Sequence, residues 1–62
     1  MLVFMGVENH RSQFEDTDTR QTHWVDLTPD DGQVQVQGDQ ATMRSGGRIA
    51  VVPIKGGPVR WM

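Results

Sequence analysis

Apolar and polar residues alternate along much of this chain with a period of two, the spacing of strands that bury one face. The strictest case is Gln33–Gln37 (QVQVQ), which sets Val34 and Val36 on one side and three glutamines on the other. Gly38-Asp39 suits a tight hairpin turn, and Gln40–Arg44 (QATMR) returns with Ala41 and Met43 on one face. Ser45-Gly46-Gly47 is the next turn. Arg48–Ile54 (RIAVVPI) and the opening Met1–Val7 (MLVFMGV) are nearly continuous apolar runs, as expected of strands covered on both faces. Pro53 cannot donate to a ladder and marks a strand end, a bulge or an edge.

Arg20–Leu27 (RQTHWVDL) reads as a strand through Thr22, Trp24 and Val25. Thr28–Gly32 (TPDDG) reads as a turn: Pro29 presets φ, the aspartates accept turn hydrogen bonds, and Gly32 accepts a positive φ. Lys55–Pro58 (KGGP) is another turn, and Val59–Met62 (VRWM) a short last strand. The polar stretch Glu8–Thr19 (ENHRSQFEDTDT) fits no strand pattern and is expected to be a long loop. Ser12 and Glu15 have capping-box spacing, which allows one helical turn there. Its single apolar residue, Phe14, is expected to plug back into the core rather than anchor a partner.

Five or six short strands joined by glycine turns predict one all-β domain over residues 1–62. The expected form is an antiparallel meander or a partly closed barrel. A chain of 62 residues buries only about 60% of the surface its unfolded form exposes. It contains no cysteine, so no disulfide or thiolate metal site supports the fold. Homo-oligomerisation is the expected remedy, with Met1–Val7 and Val59–Met62 as candidate edges for pairing between subunits. No segment approaches the roughly 18 apolar residues of a membrane span. The opening run also lacks the flanks of a secretory leader, so a cytoplasmic protein is expected.

The net charge of −2 conceals a division. Residues 1–39 hold all eight acids and only Arg11 and Arg20 as bases, a balance of −6; residues 40–62 hold Arg44, Arg48, Lys55 and Arg60 and no acid, a balance of +4. Complementary halves, facing each other within or between subunits, are the plainer explanation; an anion site on the basic half is the functional one. The second has a chemical basis in Arg44-Ser45-Gly46-Gly47-Arg48, where glycines bring backbone N–H groups close to an anion and arginines offer planar forks to oxyanions. Lys55-Gly56-Gly57 repeats the theme. Neither has the spacing of a P-loop, and any tight hairpin needs glycines. Trp24 and Trp61 offer surfaces on which a base would stack. As an aromatic in a strand, Trp24 is expected in the core, and Trp61 at a contact between subunits.

Catalytic constellations are weak. His10, Asp16, Asp18 and His23 have no recognisable metal-ligand spacing, Asp30-Asp31 is a turn signal, and neither Ser12 nor Ser45 stands in a recognisable nucleophile–histidine arrangement. No enzyme activity, metal or cofactor is expected. The sequence therefore points to a non-catalytic homo-oligomer that binds a small anionic ligand, a nucleotide or cyclic nucleotide, through Arg44, Ser45, Gly46, Gly47, Arg48, Lys55, Arg60, Trp61 and Trp24. The alternative is a protein-binding module, such as a phage inhibitor of a host protein or a virion subunit. In that reading the acids Glu15, Asp16, Asp18, Asp30 and Asp31 meet a basic host partner. Size alone suggests an accessory protein of a phage or bacterium.

Overall fold

The computed structural model describes residues 1–62 as an all-β chain of seven strands: β1 (Leu2–Glu8), β2 (Arg11–Asp16), β3 (Thr22–Val25), β4 (Val34–Gln37), β5 (Gln40–Ser45), β6 (Arg48–Pro53) and β7 (Arg60–Trp61). They form two antiparallel sheets, β1-β2-β3 and β4-β5-β6-β7, each a simple meander. No ladder joins the sheets, so the barrel does not close.

The turns follow from residues that tolerate a positive φ. Gly38 (φ 57°) lies between the paired Gln37 and Gln40, and Gly46 and Gly47 (φ 60° and 78°) between the paired Ser45 and Arg48. Two left-handed residues in succession match the right-handed twist of the strands they join. Asn9 and His10 (φ 53° and 64°) make the same turn between Glu8 and Arg11 without a glycine. The expected loop over Glu8–Thr19 is therefore a hairpin and the strand β2, and no helical turn forms. The prediction failed because the inward positions of β2 are Ser12, Phe14 and Asp16, of which one alone is apolar.

The register sets Phe4, Phe14 and His23 opposite one another, and Val7, Ser12 and Val25 in the neighbouring row. Phe14 is fully buried, as expected, with its ring 5.5 Å from that of Phe4. Ser12 is also fully buried, and its hydroxyl donates to the Leu27 carbonyl, which satisfies both groups. The second sheet contributes Ala41, Met43, Ala50 and Val52, and Ile54 follows just past the end of β6, with Val34 and Val36 packed against them.

Four further expectations are corrected. Met1–Val7 is not covered on both faces: Leu2 is buried and Phe4 packs on the core, while Val3, Met5 and Val7 are exposed. This strand is an edge, and a register shift between Phe4 and Gly6 interrupts its alternation. Arg48–Ile54 also alternates, with Ala50 and Val52 buried and Ile49 and Val51 half-buried. The last strand shrinks to Arg60–Trp61. Trp24 leaves the core; it pairs with Gln13 on the outer face and remains 37% exposed.

Candidate functional site

The sheets separate along one side of the molecule, between β3 and the far end of β6. β7 pairs with Ala50 and Val51 only, so β6 has no neighbour on that side from Val52 onward. β3 pairs with β2 alone and leaves its other edge bare. A cleft of about 430 Å³ runs between these two edges, with Thr22–Asp26 along one wall and Val52–Gly57 with Val59 along the other. Val25, Val52 and Ile54 give it an apolar floor. The Nε2 atom of His23 is buried without a hydrogen-bond partner, an exception to the usual pairing of such groups. Gly57 (φ 134°) closes the turn over Pro53: a Cβ there would lie 3.1 Å from the proline Cγ.

Two expected ligand groups, Trp24 and Lys55, reach this cleft. Neither is free. The guanidinium of Arg11 lies 4.5 Å from the centroid of the Trp24 ring. The Lys55 ammonium stands 3.8 Å from carboxylate oxygens of Asp16 and of Asp39. The Asp16 carboxyl is held below its ordinary range, first by the backbone N–H of Asp18, which donates to it at 3.0 Å.

The remaining expected residues lie away from the cleft, on the four-stranded sheet and its β5–β6 turn. Arg44 and Arg60 occupy positions opposite Ile49 and Val51, on the outer face of the four-stranded sheet. Arg48 lies over the Trp61 ring at 5.1 Å, and Trp61 pairs with Ala50 toward the other face. Ser45, Gly46 and Gly47 form the β5–β6 turn. There the Gly46 and Gly47 amides donate to the two carboxylate oxygens of Asp30, at 3.0 and 2.8 Å, and the Asp30 amide donates to the Arg44 carbonyl at 2.7 Å. The Gly47 and then the Gly46 amide hold the Asp30 carboxyl below its usual range, with a smaller contribution from the Arg44 charge.

Gly56 and Gly57, offered by the sequence with Lys55 as a second anion turn, line the cleft, whereas His23 and Val59 were passed over as cleft residues, as was the role of Asp30. The cleft depends on how two sheets pack, which no local pattern records. Asp31 is the local turn former, accepting from the Gln33 amide at 3.0 Å, whereas Asp30 makes contacts sixteen and seventeen residues away. No three histidine, aspartate or glutamate side chains gather where a metal ion would be held. No family model, curated protein or solved structure matches the chain.

Proposed function

We propose that the protein is a non-catalytic protein-binding module that takes an extended segment of a partner chain into the cleft between β3 and β6. One observation carries this reading: the bare edge of β3 runs along a cleft with an apolar floor. The bare edge of β3 offers N–H and C=O groups in strand register, and a segment laid along it gains main-chain hydrogen bonds while alternate side chains enter the cleft. On the β6 side Pro53 has no N–H and its carbonyl already accepts from the Gly56 amide, so that wall contributes side-chain contacts. Val25, Val52 and Ile54 suit an apolar side chain, and the bare Nε2 of His23 suits a polar group beside it. The cleft is also poorly suited to anions, because Asp26 lines it and Lys55 is neutralised by Asp16 and Asp39.

The test is selection of binders from a random-peptide library, followed by amide shift mapping with one selected peptide. Shifts centred on Thr22–Asp26 and Val52–Gly57 are expected. Val59→Trp, which fills the cleft from its wall, is expected to weaken that peptide by at least about tenfold. Shifts centred elsewhere, or unchanged affinity in the filled variant, would overturn the reading. The nucleotide reading keeps one observation in its favour, the meeting of Trp24, Lys55, Gly56 and Gly57 at one cleft. Native mass spectrometry with mononucleotides and cyclic nucleotides decides between them: a stoichiometric adduct lost in Val59→Trp favours the nucleotide.

A further inference from the structure

The β5–β6 turn holds an anion of its own. In a two-residue hairpin turn with both central residues left-handed, the hairpin's closing bonds run between the flanking residues, here Ser45 and Arg48. The amides of the two central glycines are left to point outward. Both are directed at one carboxylate, which they grip oxygen by oxygen. Nothing lies within 4 Å of the place a Cβ would occupy at either glycine, so the turn stands clear of the rest of the chain on its Cβ side, and the Asp30 carboxylate is what covers the amides. Arg44 emerges beside the turn, is exposed and makes no ion pair. Its charge is nonetheless felt at Asp30.

We propose that the Gly46 and Gly47 amides, with the Arg44 guanidinium, form a surface oxyanion site for a phosphate-type group, of which Asp30 is the built-in and displaceable occupant. A carboxylate fills two donors and one negative charge. A phosphate has a third oxygen and a further charge, and Arg44 is the unpaired cation able to take them. Asp30 belongs to the Thr28–Gly32 segment that links the two sheets, so an arriving oxyanion would also release the link from the hairpin. This site is separate from the cleft and stands whether or not the cleft accepts a peptide.

The probe is inorganic phosphate, read by the amide resonances of Gly46 and Gly47 at constant pH and ionic strength. Asp30→Ala removes the internal occupant and is expected to bind phosphate about tenfold more tightly than the unaltered protein. Arg44→Gln placed in the same background is expected to lose most of that gain. Asp30→Asn, which keeps the shape without the charge, is expected to fall between. A nucleoside monophosphate titrated in parallel separates two sources: affinity equal to phosphate means the group alone is read, and a tighter fit means an ester is. The proposal fails if the Gly46 and Gly47 amides of Asp30→Ala do not respond. It fails also if the response is the same with and without Arg44, or if neither Asp30 variant retains the dispersed spectrum of the fold, for then Asp30 is a structural clasp only.

Discussion

Phe14 and Ser12 carry more of the first sheet than their surroundings in sequence suggest, because each is the inward residue of a strand that is otherwise polar. Phe14→Ala leaves a phenyl-sized void between Phe4 and the second sheet and is expected to cost about 3–5 kcal/mol, enough to unfold a domain of this size in chemical denaturation. Ser12→Ala removes the one donor to the buried end of the Leu27 carbonyl bond and is expected to cost about 1 kcal/mol. His10 has the opposite character. It sits at φ 64°, where an L side chain is strained, so His10→Gly is expected to raise the melting temperature, with a gain of up to about 1 kcal/mol. A thermal scan checks it, and an unchanged or lower melting point contradicts it.

At the level of strands, alternation was a good guide wherever the inward residues are apolar, as in Gln33–Gln37 and Gln40–Arg44. It failed at β2, where Ser12 and Asp16 face inward and find polar partners in Leu27 and Asp18 that lie outside the strand. The Asn9-His10 turn was readable in principle, since asparagine and histidine tolerate the left-handed region better than most residues. The long apolar runs misled in the other direction, because an edge strand exposes its second face. The candidate cleft was not readable at all. It needs the edge of β3 and the unpaired end of β6 side by side, and neither residue type nor spacing encodes that approach. The glycine turn was readable as an anion acceptor, but not that the anion comes from the same chain.

For the whole molecule, the division of charge becomes spatial. Residues 1–27, with the first sheet, carry five acids and two bases, and residues 33–62, with the second sheet, carry one acid and four bases. Part of the attraction is used internally, through Lys55 with Asp16 and through Asp30 at the basic hairpin. Both Asp16 and Asp30 have carboxyls depressed below the ordinary value of 3.8. A depressed carboxyl stabilises the fold fully above its unfolded value and loses that contribution as pH falls through the folded one. The melting temperature is therefore expected to be flat from neutrality to about pH 5 and to drop below about pH 4. Asp30→Asn should shrink that drop, and an equal drop in the variant would assign the acid sensitivity to other groups.

Each of the five ladders joins strands that follow one another directly in the chain. No closure of a long loop has to precede pairing in either sheet, and the pairs separated by two-residue turns need almost none. Local pairing of this kind keeps the loop-closure cost of each ladder small and leaves the contacts between the sheets as the non-local ones. Stopped-flow refolding is expected to finish within about milliseconds. The two hairpin sheets would form as separate local events, and their docking, rather than their pairing, would set the rate.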